Sequence, residues 1–248
     1  MVSVIIITKN EAPLIRSCLD SVSWADEIVV LDSGSSDETV DICAEYTTHV
    51  YTTDWPGFGP QKNRALAKAS NPWVLSLDAD ERVPAALADE IHSVIATPDS
   101  PDAYRMPRLS RYCGRTIHHS GWWPDHVVRL FKRGHASFTN DIVHERVIVD
   151  GTTGTLTNPL FHESFASLEE VIDKMNRYST AGAAMMCDRG ESSSISRAVT
   201  HGLWSFFYSY IMRRGFLDGR EGFMLAVSNA EGTYYRHLKC FMTTRVQT

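Results

Sequence analysis

The chain has 248 residues, 43% of them hydrophobic and 22% charged, with a formal net charge of −6. That is enough apolar material for one large α/β domain, or for a domain with an appendage, and the acidic balance argues against nucleic acid as a partner. Cys18, Cys43, Cys113, Cys187 and Cys240 form no Cys-x-x-Cys pair and read as reduced thiols of a cytoplasmic protein, neither a disulfide frame nor a zinc site.

The first apolar run, Val2 to Ile7, is rich in β-branched residues and stops at Thr8-Lys9-Asn10-Glu11, so it is expected to be a buried strand and not a signal peptide. Ala12 to Val22 carries Leu14, Cys18, Leu19 and Val22 at helical spacing, with Pro13 in the first turn. A second strand, Glu27 to Leu31, runs into Asp32-Ser33-Gly34-Ser35-Ser36-Asp37; a helix from about Asp37 to Tyr46 follows, with Ser36 as its expected N-cap. His49 to Thr52 is a weaker strand and Gln61 to Ala69 a helix. Next comes Trp73-Val74-Leu75-Ser76-Leu77-Asp78-Ala79-Asp80-Glu81, a short buried strand ending in two carboxylates one residue apart. This alternation predicts an open, mostly parallel α/β sheet with helices on both faces.

In such sheets ligands sit beyond the carboxyl ends of the strands. That rule gathers Thr8 to Glu11, Asp32 to Asp37 and Asp78 to Glu81 at one edge, each polar and each following an apolar strand. Side chains alternate along a strand, so Asp78 and Asp80 would point the same way, which suits a hard divalent cation that holds phosphates. The plain alternative is a strand followed by an acidic turn. Neither a Gly-x-Gly-x-x-Gly nor a Gly-x-x-x-x-Gly-Lys-Ser/Thr element is present, nor a His-Glu-x-x-His motif.

After a helix over Pro84 to Ala96 the pattern becomes mixed. Strands are expected at Tyr104 to Arg108, His126 to Phe131, Ile142 to Val149 and Thr155 to Phe161, and helices at Ser167 to Asp188, Ser196 to Arg214 and Arg220 to Phe241. The expected division is a catalytic domain over residues 1–165 and a helical extension over 166–248.

Ser3 to Glu11, Val30 to Thr39 and Asp78-Ala79-Asp80, in that order and spacing, resemble the inverting family-2 glycosyltransferases. The likeness continues through Trp123-Pro124-Asp125, Arg129-Leu130-Phe131, Val143-His144-Glu145 and Tyr208 to Gly219, which look like the bacterial lipopolysaccharide-core β-1,4-glucosyltransferase group. Where the family usually has Asp-Asp-Gly-Ser, this chain has Asp32-Ser33-Gly34-Ser35. The resemblance implies a GT-A fold, a nucleotide-sugar donor (UDP-glucose for this group), and a glycan or lipid-linked acceptor. It also implies roles. Thr8, Asn10, Glu11, Asp32 and Ser35 would edge the nucleotide, although Asp32 also reads as an Asx turn before Gly34. Lys62 and Arg64 would neutralise the diphosphate, or lie on a solvated helix face. Asp78 and Asp80 would hold Mg²⁺ or Mn²⁺, with Asp78 also on the donor and His162 either a further ligand or structural. The base that takes the acceptor proton would be Glu145 or Asp125, with Glu145 favoured by its place after a short strand. Trp122 and Trp123 would form a sugar platform or pack in a core.

The stretch Leu203 to Met212 is apolar over well over half its helical circumference, leaving Gly202, Ser205 and Ser209 on a narrow strip. With Arg197, Arg213 and Arg214 beside it, residues 196–214 are expected to lie peripherally on the cytoplasmic face of the inner membrane; burial within the domain or in a homo-oligomer interface is the alternative. Two other functions fit less of the chain. An Asp-x-Asp phosphatase would carry its pair after the first strand, with Thr or Val where Arg82 stands. A metal-dependent binding module built on Asp32-Ser33-Gly34-Ser35-Ser36 lacks its first serine and leaves Asp78 and Asp80 unexplained.

Overall fold

The computed structural model describes residues 1–139 and 146–246. Its elements in chain order begin with β1 (Val2–Thr8), α1 (Ala12–Ser21), β2 (Glu27–Asp32), α2 (Thr39–Ala44), β3 (Val50–Thr52) and α3 (Phe58–Leu66). They continue through β4 (Trp73–Asp78), β5 (Glu81–Arg82), α4 (Ala85–Ala96), β6 (Ala103–Tyr112), β7 (Arg115–Thr116) and β8 (Asp125–Lys132). Then come β9 (Ala136–Phe138), β10 (Val147–Val149), β11 (Thr153–Thr155), β12 (Leu160–Phe165), α5 (Leu168–Asp188), α6 (Ile195–Phe207) and α7 (Gly219–Val246). A π-helical turn, Tyr208–Met212, and a 3₁₀ turn, Gly215–Asp218, lie between α6 and α7.

By its contacts the chain divides into two compact units, one of Met1–Arg108 with Asp125–His162 and one of Leu109–Pro124 with the chain from Glu163 onward. The first unit is built on a sheet whose parallel part runs β3-β2-β1-β4. β8 then adds antiparallel to β4, with Leu75 opposite Leu130, and β6 adds antiparallel to β8. Every residue of β1 is buried, as a strand with neighbours on both edges and both faces requires. Alternation along the strands supplies two cores. Val4, Ile6, Val30, Leu75 and Leu77 pack on one face against Ile15 and Leu19 of α1 and Leu87 and Ile91 of α4. Ile5, Ile7, Val29, Leu31 and Val74 pack on the other with Ala65 of α3 and Phe138. The expected α/β sheet with helices on both faces is therefore present.

Several boundaries differ from the sequence reading, each for a local reason. α2 starts at Thr39 instead of Asp37 and its N-cap is Glu38, not Ser36; the Asp37 carboxylate instead accepts from the Thr39 N–H at 3.1 Å and hydroxyl at 2.5 Å. The strand expected over Thr155 to Phe161 is two strands, β11 and β12, because Asn158-Pro159 falls between them and proline gives no N–H to a ladder. Of the strand expected from Ile142, Val147–Val149 is seen, and residues 142–145 lie outside the described residues.

In the second unit α5 and α6 start at serine caps. Ser167 accepts from the Glu170 N–H at 3.3 Å and Ser194 from the Arg197 N–H at 3.1 Å. Tyr112, Ile117, Val171 and Leu225 form its main core, with the Tyr112 hydroxyl 3.0 Å from Ser228 Oγ. All five cysteines are free, with Cys187 and Cys240 Sγ 3.6 Å apart. Among the described residues no helix is long and apolar enough to cross a membrane.

Leu75 is fully buried between two paired strands at the centre of the first core. Leu75→Ala should lower the unfolding free energy by about 2–5 kcal/mol, measured by urea denaturation. A loss below about 1 kcal/mol would mean that this layer is not tightly packed.

Candidate active site at the strand ends

The parallel register fixes which residues meet at the carboxyl edge. Thr8 lies opposite Asp32, and Ile7 opposite Asp78, so the three polar segments expected to converge are adjacent. The first two interlock. Asn10 has a left-handed backbone (φ 56°); its N–H donates to Ser35 Oγ at 2.8 Å and its Oδ1 accepts from the Ser36 N–H at 2.8 Å. The Glu11 N–H donates to Thr39 Oγ1 at 2.8 Å and the Ala12 N–H to Asp37 Oδ2 at 3.2 Å.

Asp32 is fully buried and serves its own loop. Its Oδ2 accepts from the Gly34 and Ser35 N–H groups at 2.8 and 2.9 Å, and its Oδ1 from the Ser35 hydroxyl at 2.5 Å. This is an Asx turn, and Gly34 at φ 81° supplies the left-handed residue it needs. Thr8 Oγ1 is buried with no hydrogen-bond partner among the described residues.

Asp78 ends β4 in a buried network of ions. Its Oδ1 lies 2.8 Å from Lys62 Nζ and its Oδ2 2.5 Å from Arg129 Nη2. The same Arg129 nitrogen reaches Glu81 Oε1 at 2.7 Å, and Glu81 Oε2 accepts from the Asp78 N–H at 3.2 Å. Lys62, Arg129 and Glu81 are all buried. Burial opposes ionisation of Asp78, but Arg129 and then Lys62 outweigh it and hold the carboxyl well below the ordinary range. Burial likewise works against the Arg129 charge, and Asp78 and Glu81 more than restore it. Lys62 thus presents its charge to Asp78 from within the protein. Arg64 is not brought to this network: two positions along a helix is a turn of about 200°, and Arg64 instead meets Asp54 at 2.8 Å on the exposed side of α3.

Asp80 differs from Asp78. Its Oδ2 lies 3.3 Å from His162 Nε2, while its Oδ1 is buried and has no hydrogen-bond partner among the described residues. Asp125, at the start of β8, is held by Arg108 through Nη2 at 2.6 Å and Nε at 3.1 Å, and Arg108 Nη1 also lies 3.6 Å from Glu81. Glu145 and His144 lie outside the described residues. Trp122 and Trp123 belong to the second unit. Trp122 packs edge-on to Tyr112 at 5.9 Å and tilted to Phe165 at 6.2 Å, and Trp123 meets His118 at 6.2 Å.

Sequence reasoning gave no role to Arg129 or Glu81. The available signal for Arg129 was a charge between Val128 and Leu130 in a strand that is otherwise central, where an unpaired guanidinium would be costly. With its carboxyl depressed, Asp78 contributes its full share of stability above the ordinary value of 3.8 and loses it progressively as pH falls below that. Arg129→Met should cost about 3–5 kcal/mol at neutral pH by urea denaturation, because it removes the cation that Asp78 and Glu81 share and leaves Asp78 to Lys62 and Glu81 to the more distant Arg108. The gap from wild type should narrow as the pH is taken below 3.8. A variant as stable as wild type at neutral pH would show that the network carries no such constraint.

The model of the Glycosyl transferase family 2 matches residues 3–99. An uncharacterized glycosyltransferase of Rickettsia bellii is 32% identical over 99% of this chain and 90% of its own length. The lipopolysaccharide core biosynthesis glycosyltransferase LpsC of Rhizobium meliloti is 29% identical over 95% of this chain and 92% of its own. Residues 1–349 of S. aureus TarS, crystallised with UDP-GlcNAc, align over 100% of this chain and 92% of theirs with a TM-score of 0.51 at 14% identity, a likeness of fold. With the interlocked strand ends and the acid pair at their centre, these matches place the chain among the family-2 glycosyltransferases, with a GT-A fold.

Proposed function

We propose that this glycosyltransferase moves a hexose, glucose for preference, from a UDP donor to a glycan or lipid-linked acceptor of the lipopolysaccharide core, with inversion, at the cytoplasmic face of the inner membrane. The similarity to the lipopolysaccharide core glycosyltransferase LpsC and the motifs that resemble the core glucosyltransferase group support the acceptor class and the donor. The observation that carries the catalytic reading is Asp80 Oδ1. A buried carboxylate oxygen without a partner, at the carboxyl end of a central strand and beside a histidine, is an open ligand position.

Among the described residues no three His, Cys, Asp or Glu side chains converge as a ready-made metal cage. Mg²⁺ or Mn²⁺ in a transferase would take one or two protein ligands and be completed by the oxygens of the substrate diphosphate and by water. Asp80 would hold the cation with His162 next to it. Both Asp78 oxygens already meet a cation, Lys62 on one and Arg129 on the other, so its main part is to anchor the strand end. A cation held there supplies positive charge against the leaving diphosphate.

The remaining work falls to the chain. Thr8, with its unpartnered buried hydroxyl, and the locked loops of Asn10, Glu11, Asp32 and Ser35 offer a rigid edge to the nucleotide. Single displacement with inversion needs one carboxylate to take the acceptor proton. Asp125 Oδ2 is already engaged by two hydrogen bonds from Arg108, which favours Glu145 in the role, with Asp125 as the alternative.

The test is a transfer and donor-hydrolysis screen across nucleotide-sugars. UDP-glucose should be turned over, chelation should abolish activity, and Mn²⁺ or Mg²⁺ should restore it. Asp80→Ala should remove activity without unfolding the protein, and full activity in that variant would overturn the metal assignment. Glu145→Gln should lower kcat by about 10²–10⁴, whereas unchanged turnover would move the base to Asp125. UDP at about 100 times its Kd should raise Tm by roughly 5–10 °C when Mn²⁺ is present, with little effect from either alone.

A further inference from the structure

The outward face of α6 and the π-helical turn after it is built the wrong way round for contact with water. The side of α6 that packs on α7 is its small and polar strip. A Cβ on Gly202 would sit 3.2 Å from Tyr234 Cβ and 3.3 Å from the Ala230 carbonyl, Ser205 Oγ donates to the Asn229 carbonyl at 3.2 Å, and Asn229 Nδ2 donates to Ser209 Oγ at 3.2 Å. Ala198, Gly202 and Ser209 are buried on that side. The large apolar side chains face away. Leu203 is 68% exposed, Trp204 59% and Met212 58%, and Val199, Phe207 and Ile211 are exposed beside them. Trp204 stacks at a tilt on Phe207 at 5.7 Å, so the surface is continuous along the helix. A water-facing helix ordinarily carries its polar residues outward, and contiguous apolar patches of this kind mark interaction sites.

The charge around the patch identifies what covers it. The chain as a whole has a net charge of −6, yet no Asp or Glu occurs between Glu191 and Asp218. Arg197, Arg213 and Arg214 do occur there, and all three are exposed. A second copy of the chain is a poorer match, because a two-fold interface sets the same patch against itself and this segment brings three arginines and no acid of its own to pair with them. An anionic lipid surface satisfies both features. It takes apolar and aromatic side chains at the headgroup level, and its phosphates pair with arginine.

Resting on the reading of a lipid-linked acceptor, we infer that the face formed by Val199, Leu203, Trp204, Phe207, Ile211 and Met212, with its three arginines, docks the protein on an anionic phospholipid surface. The helix lies in the interface plane, since it is too short and too flanked by charge to enter the bilayer end-on.

Flotation with vesicles of phosphatidylcholine alone or mixed with phosphatidylglycerol tests this on the full chain. The protein should float with the mixed vesicles and much less with the neutral ones, and salt should weaken the binding. Trp204 emission should shift to the blue on binding. Leu203→Glu with Trp204→Glu should abolish flotation while leaving the unfolding midpoint and UDP-glucose hydrolysis unchanged. If that variant does not fold, Arg197→Gln with Arg214→Gln keeps the test open and should weaken binding on the order of 30-fold. Asp80→Ala should float like wild type, so loss of catalysis and loss of docking are read separately. Wild-type protein that stays at the bottom of the gradient would overturn the inference. So would a folded Leu203→Glu/Trp204→Glu protein that floats normally, or a stable dimer in solution that this variant converts to monomer.

Discussion

Two carboxylates and two cations meet at the end of β4, Lys62, Glu81 and Arg129 buried and Asp78 partly so, and the order of the site depends on their pairing. Asp78 lies between Lys62 and Arg129, and Arg129 lies between Asp78 and Glu81. Removing such groups from water costs several kcal/mol per ion, and their mutual attraction offsets this only when each charge has its partner in good geometry. The four residues come from α3, β4, β5 and β8, so the network ties the helix beneath the sheet to the antiparallel strand beside it. It also sets the two acids of the Asp-x-Asp pair apart. Both oxygens of Asp78 meet cations, whereas Asp80 Oδ1 is buried with no hydrogen-bond partner among the described residues.

The sheet does the rest of the positioning by register. A parallel strand pair has one alignment in which both faces stay apolar, because a slip of one residue would turn Ile5 and Ile7 to the side of Val4 and Ile6. That alignment sets Thr8 beside Asp32 and Ile7 beside Asp78. The loops that follow are then close enough to cross-bond, Asn10 to Ser35 and Ser36 and Glu11 to Thr39, so the edge is rigid before any ligand arrives. Preorganisation of this kind is what a transferase needs to hold a diphosphate in line with an incoming hydroxyl.

Much of this was legible because it is periodic. Strands such as Val2–Thr8 and Trp73–Asp78 announce themselves by β-branched and apolar runs interrupted only by Ser3 and Ser76 before their polar ends, and the strand-end rule then gathers three loops without knowledge of any contact. What was not legible depends on partners distant in sequence. Nothing local separates Lys62, which turns inward to Asp78, from Arg64, which turns outward to Asp54; the helix phase is fixed by Ala65 and Gln61 packing beneath the sheet. Asp32 was read as a nucleotide ligand or an Asx residue, and its bonds to Gly34 and Ser35 are those of the turn. Arg129 is a single charge in a strand, and its meaning comes from Glu81, which is 48 positions away in the chain.

The C-terminal helices show where periodicity itself misleads. The amphipathic rule assigns the wider apolar arc of a helix to the core and the narrow polar strip to water. In α6 the strip of Gly202, Ser205 and Ser209 is the packed side, because α7 approaches so closely that larger side chains have no room. Close backbone approach over small residues, with serine and asparagine bonding across the contact, is the packing of helices whose other faces lie in a medium as apolar as themselves. α6 keeps its smallest residues for its protein neighbour and its largest for the outside. The same inversion explains why the sequence could find the stretch but could not say which of its faces was the inner one. That choice rests on a fit between the two helices, Tyr234 and Ala230 of α7 against Gly202 of α6.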